Sequence, residues 1–224
     1  MMTELHPLGF FLPASAKLLM LGSFPPPKAR WSMDFYYPNI QNDMWRILGL
    51  LFYGDKDHFL ATPKAFSREK AVAFCEEKGL ALGDTACEVI RLKANASDKF
   101  LEVVRPIDLN RVLAQLPHCQ AIAVTGQKAM DTLLSLLPDV EEPKVGDRVL
   151  FTYGDRLLRL YRMPSSSRAY PKPLAEKAAV YQRMFEELGL IRNGNRCLPT
   201  VAWPLDRWPV LAARNRHCRL PTSG

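Results

Sequence analysis

The chain has 224 residues, 48% of them hydrophobic and 24% charged, and no apolar run of transmembrane length, so it can bury a core of its own and is not expected to span a membrane. Its net charge is +7, but residues 192–224 hold six arginines against one aspartate, a net of +5, which leaves only +2 for everything before them. Bulk charge is therefore excluded as an argument for nucleic-acid binding by the folded part, and local motifs must carry that case.

One domain is expected over 1–191, followed by a tail at 192–224 rich in Arg, Pro and Trp, with no sustained period, that reads as poorly ordered or loosely docked. The first eleven residues hold an acid and a histidine and lack a basic segment ahead of an apolar run, so no secretory signal is expected and a cytoplasmic location follows. The five cysteines (Cys75, Cys87, Cys119, Cys197, Cys218) are odd in number and form no closely spaced pair. That pattern argues against a disulfide framework, a structural zinc or an iron–sulfur cluster, and no metal is expected.

In chain order, residues 17–23 form an apolar run ending in small residues ahead of Pro25-Pro26-Pro27, which reads as a buried strand feeding a rigid loop. Helical spacing follows at 44–52, and again at 67–78 behind an N-cap serine, Ser67. Residues 79–84 read as the second strand, followed by a loop, a helix at 108–116 with an acidic cap, and a core strand at 121–124. Thr125-Gly126-Gln127 turns that strand into a helix at 128–137, a strand-turn-helix unit of the kind that builds parallel sheets. A hairpin is expected from 149–153 and 156–162 around Gly154-Asp155, and an amphipathic helix at 174–188 closes at Gly189.

Open α/β sheets bind ligands beyond the carboxyl ends of their strands, which singles out two loops. The first begins Gly22-Ser23-Phe24-Pro25, passes Phe35, Tyr36 and Tyr37, and ends at Asn39, Asn42 and Trp45; the second is Met163-Pro164-Ser165-Ser166-Ser167-Arg168-Ala169-Tyr170-Pro171. An enzyme that excises a base needs a phosphate clamp, a stacking surface, polar groups for the base edge and a group that positions water at the sugar. The hydroxyls and loop N–H groups of Ser165, Ser166 and Ser167, with the Arg168 cation, suit phosphate, while Phe35, Tyr36 and Tyr37 offer stacking faces. Asp84 and Asn95, after the second strand, are candidates for the base edge, with a turn or cap as the alternative role. Taken singly, triple proline, triple serine and an Asn before Met-Trp each have an ordinary structural use as rigid loop, solvated turn and helix cap.

Taken together, Gly22-Ser23-Phe24-Pro25, Asn42-Asp43-Met44-Trp45 and Met163-Pro164-Ser165-Ser166-Ser167 resemble the uracil-DNA glycosylase superfamily, and most of all its hypoxanthine-DNA glycosylase branch. The order and separation of the motifs agree over residues 16–191, with Thr125-Gly126-Gln127 similar to the segment between them. The resemblance implies an α/β fold, a three-layer αβα sandwich with a central mainly parallel sheet. It implies a monofunctional, cofactor-free hydrolase that removes a deaminated base from DNA, acting as a monomer in base-excision repair. In better-known branches Asp or Asn stands two places after the motif's glycine and positions water, and His or Asn often precedes the second motif's Pro-Ser; here those places hold Phe24 and Met163. In the hypoxanthine branch the implied catalytic residue is a downstream asparagine, which matches Asn42, with Asn39 in reserve. Ser23, Phe24, Phe35, Tyr36 and Asp84 would meet the base, and Ser165, Ser166, Ser167, Arg168 and Tyr170 the DNA backbone or the gap left by the flipped nucleotide. Two other classes stay open: a binding module on the same fold without chemistry, favoured by Phe24 and Met163, and a nucleoside hydrolase using the serine loop.

Overall fold

The computed structural model describes residues 2–92 and 100–191. In chain order the strands and helices are β1 (Thr3–Leu5), β2 (Leu18–Gly22), α1 (Met44–Tyr53), β3 (Leu60–Thr62), β4 (Ala65–Phe66), α2 (Arg68–Lys78), β5 (Leu80–Asp84), β6 (Ala86–Arg91), β7 (Leu101–Pro106), α3 (Leu109–Ala114), β8 (Ala121–Thr125), α4 (Gln127–Leu134), β9 (Arg148–Tyr153), β10 (Arg156–Met163) and α5 (Leu174–Glu187). A short 3-10 turn, Lys28–Arg30, lies in the loop after β2.

The central sheet has five strands in the order β5-β2-β8-β10-β9. The first four run parallel and β9 pairs antiparallel to β10 at the edge. Every residue of β2, β5 and β8 is buried, which explains why these strands read as continuous apolar runs: both faces of the sheet are covered. Leu18, Met20, Ala121, Ala123, Tyr161 and Met163 pack with α1, α2 and α5 on one face. Leu19, Leu21, Ile122, Val124, Leu158 and Leu160 pack with α3 and α4 on the other. The expected three-layer αβα architecture is thus present, with the alternation along each strand sorting its side chains between the two helix layers.

Local signals set the boundaries. The Ser67 hydroxyl accepts the Lys70 N–H and the Asp108 carboxylate accepts the Arg111 N–H, so both capped helices start where expected. α4 stops at Leu134, three residues short of expectation, because the chain tightens into successive turns that carry Leu136 and Leu137 into the core. The segment after β5 departs most from the sequence reading. It is an antiparallel sheet, β1-β6-β7, rather than a loop, and its sparse apolar pattern hid it: only Ala86, Val89 and Leu101 are buried, packed against Phe24. The expectations for Asn95 and for the tail at 192–224 lie outside the described residues. No helix among the described residues is long and apolar enough to cross a membrane.

Candidate active site

Because β2, β5, β8 and β10 are parallel, their carboxyl ends meet at one edge of the sheet, and Gly22, Asp84 and Thr125 open there into a cleft of about 720 Å³. That volume suits a flipped nucleotide. The two loops singled out by sequence supply most of its wall: Ser23, Phe24, Tyr36, Tyr37, Asn39 and Asn42 from the first, and all of Ser165 to Pro171 from the second.

The loops are tied directly to each other. Asn42 and Ser167 form an antiparallel backbone bridge, and the Asp43 N–H donates to the Ser166 carbonyl at 2.8 Å. The Asp43 carboxylate then takes Arg168 Nε at 3.0 Å on one oxygen and Lys177 Nζ at 3.2 Å on the other. Lys177, on α5, is 1% exposed and also donates to the Ser167 carbonyl at 2.8 Å. A buried ammonium therefore joins both loops to the last helix, a role the sequence reading missed because a lysine on an amphipathic helix looks like solvated surface. The buried Tyr181 hydroxyl adds a bond to the Pro164 carbonyl at 2.9 Å.

The first loop is held by aromatic packing. Phe35 stacks on Trp45 and meets Phe11 and Tyr36 edge-on, at 5% exposure. It belongs to the core, and it does not line the cleft as a stacking face. Tyr36 does line the cleft, but its hydroxyl is anchored to the Gly9 carbonyl at 2.8 Å, and burial pushes the phenol pKa up. Phe24 is also mostly buried, with its ring against the β6 and β7 residues and one side on the cleft. Tyr37 stands in the left-handed backbone region at φ 51°, alone in this among non-glycine residues described. Its buried hydroxyl faces the Thr125 side chain without reaching hydrogen-bond geometry.

Asn42 and Asn39 both use their side-chain oxygen locally. Asn42 Oδ1 accepts the Met44 N–H at 2.9 Å, capping α1 from one residue upstream of Asp43, and Asn39 Oδ1 accepts the Gln41 N–H at 2.9 Å. Asn42 keeps its second lone pair and its amide N–H groups for the cleft. In the second loop the Ser165 hydroxyl accepts the Ser167 N–H and the Ser167 hydroxyl accepts the Ala169 N–H. The N–H groups of Arg168 and Tyr170 go to the Gln41 and Ser167 carbonyls. The expectation that the loop's N–H groups would cradle phosphate is thus replaced for Ser167 by internal turns, while the serine O–H protons remain as donors.

Asp84 sits at the end of β5 with its carboxylate in the cleft wall. A Cβ on Gly22 would come within 2.4 Å of Asp84 Oδ1, so only glycine at position 22 leaves room for this carboxylate. Behind it, His6 Nε2 lies 2.8 Å from Asp84 Oδ2. Nothing in the local sequence around His6 announces a partner 78 residues away.

No protein-family model matches the chain, and no curated protein is similar to it in sequence. The solution NMR structure of a protein from Methanosarcina acetivorans, described as a candidate uracil DNA glycosylase, is similar in fold: TM-score 0.58 at 19% identity, covering 84% of this chain and 99% of that one. The likeness establishes a uracil-DNA-glycosylase-like αβα fold; the chemistry rests on the side chains in the cleft.

Proposed function

We propose that this chain is a DNA glycosylase of the hypoxanthine-DNA glycosylase type that hydrolyses the N-glycosidic bond of a deaminated base, uracil or hypoxanthine, in DNA. The observation that carries the reading is the fusion of the two motif loops into one cleft by the Asn42–Ser167 bridge, at the carboxyl edge of the parallel sheet.

In this reading the base enters between Phe24 and Tyr36, with Ser23 and Asp84 at its edge, and the serine loop with Arg168 holds the phosphates. Phe35 supports that wall from the core. As the glycosidic bond lengthens, its electrons leave with the base and C1′ gains cationic character; water adds at C1′, and the proton it gives up passes through solvent to neutralise the departing base. Asn42 positions that water through its free lone pair and amide protons, because an amide has no useful basicity near neutral pH. Asn39, which makes the same local use of its oxygen but lies outside the bridge to Ser167, is the reserve candidate. No cofactor is needed.

The test is release of uracil, hypoxanthine or a mismatched base from single- and double-stranded DNA, scored as abasic sites, with free nucleosides as control. Excision in DNA supports the reading. DNA binding without release favours a non-catalytic module, for which Asn42 Oδ1 serving as a helix cap is the specific observation. Turnover of free nucleosides alone would indicate a nucleoside hydrolase.

A further inference from the structure

One carboxylate in the second wall serves two cations. Asp43 Oδ1 accepts Arg168 Nε at 3.0 Å and Oδ2 accepts Lys177 Nζ at 3.2 Å, which leaves one positive charge in excess. The two cations differ in their freedom. Arg168 is 43% exposed in its side chain and lines the cleft, and the outer part of its guanidinium makes only a long contact, Nη1 to Gln41 Oε1 at 3.5 Å. Lys177 is buried, is held a second time by the Ser167 carbonyl at 2.8 Å, and does not line the cleft. Arg46, on α1, adds a third cation that the Arg168 charge opposes, with Asp57 as its own counter-ion at 4.0 Å. A buried carboxylate is not left bare without a large desolvation penalty. With Lys177 in place, Arg168 can swing away while Asp43 keeps a buried counter-ion; without Lys177 the same movement strands the carboxylate.

We infer that Lys177 is a positioning residue that acts through Asp43 to make Arg168 available: as the standing counter-ion of Asp43, it lets Arg168 exchange that carboxylate for a phosphate of the DNA backbone. On the reading of the serine loop as the backbone clamp, on which this rests, Asp43 is an internal anion that occupies Arg168 in the free protein and gives it up to DNA. No bond other than hydrogen bonds and ion pairs changes. Two effects of opposite sign follow. Removing the Asp43 charge frees Arg168 and tightens DNA binding, whereas removing Lys177, a side chain outside the cleft, fastens Arg168 to Asp43 and weakens it. A lysine that only braced the loop through the Ser167 carbonyl would give neither the tightening at Asp43 nor a dependence on Arg168.

The experiment is the binding of a short undamaged single-stranded DNA, read by fluorescence anisotropy over a range of salt and compared at about 0.15 M, where more distant charges are screened. The proteins are the parent, Asp43→Asn, Lys177→Met, Arg168→Ala and their pairwise doubles, each checked for folding by its urea transition. Asp43→Asn should tighten binding about 2- to 5-fold, the range of one partly exposed ion pair released. Lys177→Met should weaken it about 3- to 10-fold, the loss of one hydrogen bond to phosphate, and lower the slope of log affinity against log salt by about one, as Arg168→Ala does. Beside Arg168→Ala neither substitution should have a further effect, and adding Asp43→Asn to Lys177→Met should restore binding to at least the parental level. Binding by Asp43→Asn no tighter than the parent's, or a loss in Lys177→Met that persists beside Arg168→Ala, overturns the inference. Should Lys177→Met not fold, Asp43→Asn with and without Arg168→Ala decides it: tightening that vanishes with Arg168 supports the exchange, and tightening that stays overturns it. A parent that binds no DNA overturns it together with the glycosylase reading. Affinities in the expected order in a protein that releases no base sink the glycosylase reading and leave the exchange standing. Base release with affinities indifferent to Asp43 and Lys177 does the reverse.

Discussion

The two walls of the cleft are held by different forces. The first loop is locked by aromatic burial, with Phe35, Tyr36 and Trp45 packed into the core beneath it, whereas the second hangs on the Asp43, Arg168 and Lys177 charges and on serine turns. Apolar packing is insensitive to an approaching anion; an ion pair is not. Arg168 is 43% exposed in its side chain, so a phosphate can compete for it, while Lys177 stays buried and keeps Asp43 and the loop in place. One wall is thereby rigid and the other is able to exchange partners with an anion that reaches the cleft.

The largest effects should come from the anchors of each wall. Lys177→Met leaves Asp43 to the half-exposed Arg168 alone and the Ser167 carbonyl without its donor, and should cost up to about 3–5 kcal/mol of stability, measured by urea unfolding, because a buried pair loses one partner. Adding Asp43→Asn should restore much of that loss. Phe35→Ala should cost a similar amount, about 3–5 kcal/mol from the cavity, with no partner substitution able to rescue it. If Lys177→Met is as stable as the parent, the second wall is not held by charge and the contrast fails.

Next comes Asn42, at the junction of the walls. Asn42→Ala should slow single-turnover base excision by about 10²–10³-fold, as removal of one positioned polar group does elsewhere, while DNA binding survives. The lost cap should cost only about 0.5–2 kcal/mol, so the rate must be read beside the melting temperature. A folded variant that binds DNA and cuts at the parental rate would reduce Asn42 to a cap and move attention to Asn39.

Arg168→Ala should weaken binding to damaged and undamaged DNA alike and lower the slope of log affinity against log salt by about one, with base preference unchanged. Ser165→Ala should act in the same direction and more weakly. A shift in base preference at constant affinity would remove the backbone-clamp assignment from this loop.

A smaller effect belongs to His6. Since its folded pKa is raised above 6.5, the stability it contributes is complete below that value and is lost as pH rises from there through the folded pKa. The urea midpoint of the parent should fall over that window relative to His6→Gln, whose curve should be flatter. The smallest change is expected from the tail: we propose that residues 192–224 are dispensable for chemistry, so that truncation after Ile191 leaves base release intact and flattens the salt dependence only. Loss of activity in a folded truncate would overturn this.

What the sequence by itself determined is the part written in local signals. The apolar runs of β2, β5 and β8, the caps Ser67 and Asp108, and the strand-turn-helix at Gly126 specify a parallel α/β sheet, since a run buried on both faces and a capped amphipathic helix are legible without neighbours. The two loops were legible too, because prolines, serines and clustered aromatics are out of place inside regular elements. Only the tertiary structure decided what depends on residues far apart in the chain. It sent Phe35 into the core while Tyr36 beside it reached the cleft, since a loop has no period from which to read a direction. It paired the weakly patterned β6 and β7 with β1, buried Lys177 against Asp43 134 residues away, and set His6 behind Asp84. A buried charge is tolerated only where a partner meets it, and that meeting is a property of the folded chain.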